Sequence, residues 1–222
     1  MGDMMRCILC GDVGAHIFLS IRDHDQDRDY LRCPTCALRF LDPAQHPDRA
    51  TEKAHYDLHE NDPADDGYRR FLSRLADPLM AQLKPGARGL DYGCGPGPAL
   101  AAMLRERGFD MAIYDPVYVN DAAALTPAMP YDFITCTETA EHFHDPAREF
   151  RRLAGLVHRG GHLALMTCFQ TDDALFANWH YRKDPTHVAF YREDTFAWIA
   201  AAYGWSLEIP RKDVAIFTCG TA

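Results

Sequence analysis

The chain has no apolar run near the ~18 residues needed to cross a bilayer, no internal repeat, no low-complexity tract and no long basic stretch. Its basic clusters are no longer than pairs, among them Arg69-Arg70, Arg151-Arg152 and Arg211-Lys212. With 23 Lys and Arg against 32 Asp and Glu, the net charge is −9. Such a chain repels polyphosphate, so nucleic acid is a disfavoured partner. Met1–Arg6 also lacks the apolar stretch of a secretory signal. A cytoplasmic chain with no membrane partner is the expectation, and the pattern leaves its oligomeric state open.

What is present suffices for a core. The 222 residues are 47% hydrophobic and include 12 Phe and 10 Tyr. That length fits one α/β domain with a small appendage. The composition suggests three segments: an N-terminal module over 1–45, a linker with helices over 46–85 that can serve as a lid, and a catalytic domain over 86–222.

Eight cysteines are distributed unevenly. Four form two Cys-x-x-Cys pairs, Cys7/Cys10 and Cys33/Cys36, separated by 22 residues. The others, Cys94, Cys136, Cys168 and Cys219, lie singly in apolar segments. This reads as metal ligands plus buried free thiols in a reducing compartment. Four thiolates at that spacing suit a tetrahedral Zn²⁺ with a full shell, hence a structural metal. Two disulfides, free thiols, or His16 or His24 in place of one thiolate are the alternatives. The module resembles a zinc ribbon, with short strands expected at 15–21 and 38–41.

Beyond a linker that turns helical near Tyr56, elements alternate. Tyr68, Phe71, Leu72, Leu75 and Leu79 share one helix face, with Asp65 or Asp66 as cap. Pro78 is expected to kink or restart that helix. Strands are expected at 88–92, 111–114, 131–136 and 162–167, the last after a Gly160-Gly161 turn. Helices are expected at 98–107, from Asp145-Pro146 through Val157, and at 193–203. A closing antiparallel hairpin pairs 205–209 with 214–219. Alternating β and α elements imply a mainly parallel sheet covered on both faces.

The sharpest motif is Leu90-Asp91-Tyr92-Gly93-Cys94-Gly95-Pro96-Gly97. A strand enters three alternating glycines and then a helix. Glycine lets the backbone approach a ligand, and a helix start offers free N–H groups. The spacing is not the dinucleotide G-x-G-x-x-G. Asp115 ends the next strand, where a Rossmann acid takes a ribose diol.

These features, with Asp132–His142 and Gly160-Gly161 in order, resemble the class I S-adenosylmethionine-dependent methyltransferases across residues 67–222. The resemblance implies a Rossmann-like α/β fold: a mostly parallel seven-stranded sheet of order 3-2-1-4-5-7-6 with the last strand antiparallel. It implies S-adenosylmethionine as cofactor, held by Asp91, Gly93, Gly95, Gly97, Asp115, Thr137 and Glu138, with His59 on the lid. One departure stands out. Only fifteen residues separate Asp115 from Tyr131, where the family places a helix and a third strand, and Asp121 is the candidate for its adenine-binding acid.

Methyl transfer needs an aligned acceptor and, for many acceptors, a base. His142 follows the fourth strand. His187 and Tyr181 belong to the aromatic and polar stretch 179–191, expected to wall the acceptor pocket. These three are the candidate catalytic residues. A small-molecule acceptor fits the acidic charge best. An RNA or protein methyltransferase, or a silent fold binding through its zinc ribbon, are the alternatives.

Overall fold

The computed structural model describes residues 5–23, 26–58 and 62–220. The N-terminal part forms β1 (His16–Asp23), β2 (Gln26–Arg32) and β3 (Arg39–Leu41), each antiparallel to its predecessor. The linker holds α1 (Arg49–Tyr56), capped by Asp48 accepting from Thr51 N–H at 2.8 Å. Next comes α2 (Asp66–Met80), capped by Asp65. It buries Leu72, Leu75, Ala76 and Leu79, while Tyr68 and Phe71 pack at the margin. The helix runs through Pro78 and ends two residues later, so the proline costs its hydrogen bond where the helix is stopping anyway.

The larger part follows as β4 (Arg88–Tyr92), α3 (Ala99–Glu106), β5 (Asp110–Tyr114), β6 (Tyr131–Thr137), α4 (Pro146–Leu156), β7 (Val157–Met166), α5 (Asp173–Phe176), β8 (Ala189–Phe190), α6 (Glu193–Tyr203), β9 (Ser206–Arg211) and β10 (Val214–Thr218). Asp145 caps α4, with Pro146 at the first helical position, where a missing N–H is harmless. Gly204 ends α6 at φ 66°, in the left-handed region.

The main sheet runs β5-β4-β6-β7-β10-β9. β5, β4, β6 and β7 are mutually parallel, while β10 is antiparallel to both β7 and β9. This is the Rossmann-like order with the last strand reversed, but with six strands in place of seven. The missing one is the third. A parallel crossover takes a dozen or more residues before its strand begins, and residues 116–130 are too few for both. They instead form an Asp115–Val119 bridge and a 3₁₀ turn, Ala122–Leu125.

A second difference concerns Gly160-Gly161. They do not precede the strand but lie inside β7, near a register slip against β6. Gly160 has φ 83°. A Cβ on Gly161 would lie 2.6 Å from the Asp132 carbonyl oxygen, so the pair makes an irregular strand instead of a turn. Val157, expected on the α4 face, becomes the first residue of β7.

The smaller sheet runs β1-β2-β3-β8. Its fourth strand comes from the segment after β7, and Phe40 pairs with Ala189. Tyr30, Leu41, Phe176, Tyr181, Val188 and Phe190 form a common apolar cluster there. The aromatic density of 176–190 therefore joins the N-terminal strands to the larger part of the chain.

Candidate active site

One cavity of about 1000 Å³ lies along the carboxyl ends of the parallel strands, the place where open α/β sheets bind ligands. The loop after β4 forms one end. Gly93 and Gly95 have φ 80° and 63°, conformations that favour glycine. Gly93 is doubly constrained, since a Cβ would lie 2.2 Å from Thr139. Asp115 ties the loop to β5. One carboxylate oxygen accepts from Gly95 N–H at 3.0 Å, the other from Val117 and Tyr118 N–H at 2.8 and 3.0 Å. The Tyr92 and Tyr114 rings stack beside it, 5.2 Å apart.

Asp91 does not line the cavity. It is buried beneath the loop and accepts from Thr135 Oγ1 at 2.8 Å. Burial pushes its carboxyl up to about 6. Gly97 is likewise outside the lining, whereas Gly93, Gly95, Asp115, Thr137 and Glu138 face it. Thr137 Oγ1 is buried with no hydrogen-bond partner. Glu138 has φ 46°, a left-handed backbone that costs a non-glycine residue of order 1–3 kcal/mol. Burial and then the nearby Glu141 push its carboxyl up to about 9. Asp121 is exposed and caps the 3₁₀ turn through Ala123 N–H. His59 lies outside the described residues.

The other end of the cavity is built from side chains. His142 and His187 line it, and their rings meet edge to face at 4.8 Å. Burial holds His187 below its ordinary range, against the opposing pull of the Glu141 carboxyl. Tyr181 sits behind them, buried and off the lining. Its hydroxyl donates to Glu141 and approaches Glu138 at 3.3 Å, with Thr167 Oγ1 at 2.9 Å. α1 closes this end with Glu52 and Tyr56. It is fastened by His55 to Asp184 at 3.1 Å and His144 to Glu52 at 2.8 Å, with Tyr118 OH donating to Asp57 at 2.8 Å. Burial opposes ionisation of Asp184, but His187, Thr186 and His55 together hold it down at about 2.

Glu141 went unremarked in the sequence beyond its place beside His142. It is fully buried yet reaches the cavity. Tyr56 and Tyr68 arrive from α1 and α2, far away in sequence. The motif Glu138-x-x-Glu141-His142 was the signal available for the first. The lid expected over 46–85 contains both tyrosines, but no local pattern aims either of them at the cavity.

The four N-terminal cysteines converge. One sulfur from each lies within 4.8 Å of the others, with Cys7 and Cys36 at 3.5 Å and Cys10 and Cys33 at 3.4 Å. Two similar knuckles present them. Gly11 N–H donates to Cys7 O and Ala37 N–H to Cys33 O, both at 3.1 Å. Gly11 and Ala37 both lie in the left-handed region, at φ 75° and 59°. Tetrahedral Zn–S bonds of ~2.3 Å place sulfurs ~3.8 Å apart, so the cluster matches a zinc-sized site closely.

Comparison with known proteins places this geometry. The family described as "Methyltransferase domain" matches residues 58–208. A ubiquinone biosynthesis O-methyltransferase of Yersinia pestis (strain Pestoides F) is 35% identical over 100 residues, covering 35% of this chain and 41% of that protein. The chain thus spans about two-fifths of the curated relatives it matches. Among solved structures, a putative sarcosine dimethylglycine methyltransferase from Galdieria sulphuraria superposes with TM-score 0.50 at 17% identity, over 71% of this chain and 74% of that one. TnmH superposes with TM-score 0.50 at 16% identity, over 69% and 55%. These two likenesses are of fold. With the family match spanning most of the chain and the glycine loop and Asp115 side by side at the strand ends, the protein belongs to the class I S-adenosylmethionine-dependent methyltransferases.

Proposed function

We propose that the protein transfers a methyl group from S-adenosylmethionine to a small-molecule acceptor. The observation that carries this reading is the continuity of one cavity from the glycine loop to His142 and His187. Its volume of about 1000 Å³ is at the upper end of ligand pockets, enough for a cofactor with a small acceptor. When bound, the cofactor supplies an electrophilic methyl on a sulfonium centre.

The residues suit that group. Gly93 and Gly95 present bare backbone, and Asp115 offers its remaining acceptor capacity to ribose hydroxyls. Thr137 Oγ1 is a buried polar atom awaiting a partner. Glu138, beside Thr137 on the lining, offers a carboxyl group to the same ligand. Asp91 and Gly97 act from behind, supporting the loop and the start of α3. We assign Tyr181 to orienting Glu141, and His142 and His187 to the acceptor. The name of the curated relatives, an O-methyltransferase of ubiquinone biosynthesis, supports a small-molecule acceptor. The four cysteines would hold a structural Zn²⁺, with no open position for catalysis.

The test is incubation with methyl-labelled cofactor and separate metabolite, protein and RNA fractions. Label should enter the metabolite fraction and vanish with Asp115→Ala. Label confined to protein or RNA would overturn the acceptor class. Absence of cofactor binding by titration calorimetry would overturn the reading as a whole.

A further inference from the structure

Glu141, His142 and His187 each offer one ligand atom, and these lie within 4.8 Å of one another. Their hydrogen bonds fix what they present. His142 Nδ1 lies 3.1 Å from the Thr186 carbonyl oxygen, and His187 Nδ1 2.7 Å from that of Tyr181. A carbonyl only accepts, so each ring carries its proton on Nδ1. In the neutral ring the lone pair then sits on Nε2. Metal-ligating imidazoles are oriented by this same bond to a backbone carbonyl.

Glu141 is held in the same manner. One carboxylate oxygen takes the Tyr181 hydroxyl, and its backbone carbonyl takes Val188 N–H at 2.9 Å. The second oxygen, Oε2, is buried with no hydrogen-bond partner. The residue is 0% exposed. Asp184 Oδ2, another acceptor, lies 3.8 Å from His187 Nε2. Several lone pairs therefore share a small buried volume, and among the described residues no donor reaches Glu141 Oε2. A buried acceptor without a partner is costly, and a cation removes that cost.

We propose that Glu141, His142 and His187 form a divalent-cation site at the acceptor end of the cavity, and that its open positions take two neighbouring oxygens of the acceptor. This deepens the methyltransferase reading and rests on it for the second half. Two imidazoles and a carboxylate suit a first-row divalent ion, and three protein ligands leave positions open. Those positions face the cavity that all three residues line. A bound cation lowers the pKa of a coordinated hydroxyl, which then loses its proton to water. The acceptor class is a vicinal diol, a catechol or a hydroxy-carbonyl compound. The role of His187 is then to hold the ion.

Mn²⁺ is the probe, because thiolates compete poorly for it and the zinc-loaded cysteine cluster stays intact. Loss of the free-ion electron paramagnetic resonance signal counts bound Mn²⁺. One equivalent should bind the wild type, at least tenfold more weakly to Glu141→Gln and His187→Ala, and equally well to Asp115→Ala. Catechol should alter the bound-ion spectrum and phenol should not. Each preparation is also titrated with S-adenosylmethionine, which verifies folding of the Glu141 and His187 variants. Cofactor binding without Mn²⁺ binding, or Mn²⁺ binding untouched by both substitutions, overturns the cation site and leaves the methyltransferase reading standing. Equal responses to catechol and phenol overturn the paired-oxygen acceptor. A wild type that binds Mn²⁺ but no cofactor supports the ion site and breaks the reading beneath it.

Discussion

The two ends of the cavity are built from different material. At the glycine-loop end, backbone does the work: two glycines in left-handed conformation, and an aspartate whose carboxylate is already occupied by three N–H groups. At the other end, side chains from α1, the segment after β6 and residues 184–187 converge, and Glu141 Oε2 is left without a donor. The first end is fixed by its own backbone bonds before any ligand arrives. The second is left with unspent bonding capacity. A cofactor common to a family calls for the first kind of site, and an individual acceptor for the second.

If that division is right, substitutions at the two ends should separate in their readout. The largest effect is expected at the acceptor end. His187→Ala should lower turnover by roughly 10²–10⁴, the range for losing a group on which deprotonation of the acceptor depends, here through the ion it holds. Cofactor affinity should change less than about threefold. A parallel fall in cofactor affinity and thermal stability would mean that His187 only packs its loop, and the division would break.

At the loop end the sign reverses. Asp115→Ala should weaken cofactor binding by at least about tenfold, since charge-assisted hydrogen bonds contribute roughly 1.5–3 kcal/mol. Three backbone donors also lose their acceptor, so a modest fall in melting temperature should accompany it. Gly95→Val should abolish binding while the circular dichroism spectrum stays near native, because a branched residue at φ 63° is strained. Unchanged calorimetric affinity in either variant would move the cofactor elsewhere.

The same division governs what could be read from sequence. The loop end is encoded locally: Leu90–Gly97 and Asp115 needed only short-range rules for strands, glycines and helix starts. So were the caps at Asp65 and Asp145 and the closing hairpin. Six strands in place of seven followed from a short connection whose length was visible, but not its replacement, a bridge and a 3₁₀ turn. The acceptor end depends on tertiary convergence. Tyr56 reaches His142, with ring centroids 5.1 Å apart, through no periodicity that a sequence displays. Residues 179–191 are expected to wall the pocket by their density of aromatics, yet of that stretch only Asp184 and His187 line the cavity. Much of that density packs against Tyr30 and Leu41, because a strand as short as β8 can join the N-terminal sheet, and chain order gives no hint of such pairing.

The cysteine cluster offers a smaller and more selective perturbation. It adjoins the acceptor side through β3 and β8 and through Ala147 N–H to Ile8 O at 3.3 Å. Protein purified without added metal should carry about one zinc per chain. Cys33→Ser should lose it, since metal binding supplies folding energy to such modules. The melting temperature should fall by several degrees, and turnover should fall more than cofactor affinity. Four freely titratable thiols in the native protein, with no zinc found, would remove the metal and this link with it.

The smallest effect distinguishes binding from support inside the loop end itself. Asp91 belongs to the motif but lies beneath it, bonded to Thr135 and absent from the lining. Its burial favours the neutral form, raising the carboxyl from 3.8 to about 6. The folded state therefore holds its proton more tightly than the unfolded one. The stability this confers is complete below pH 3.8, falls as the pH rises through 3.8 to about 6, and is absent above. The whole excursion is on the order of 1–3 kcal/mol, and other carboxylates titrate over the same range, so it must be read as a difference between variants. Asp91→Asn keeps the shape and an acceptor for Thr135 but cannot ionise. Melting temperatures measured from pH 3.5 to 7 should show the variant gaining on the wild type between pH 4 and 6, then running parallel. Cofactor affinity at pH 7 should move by less than about threefold. If affinity instead drops tenfold while the two stability profiles coincide, Asp91 touches the cofactor directly, and the loop end owes its binding to a side chain after all.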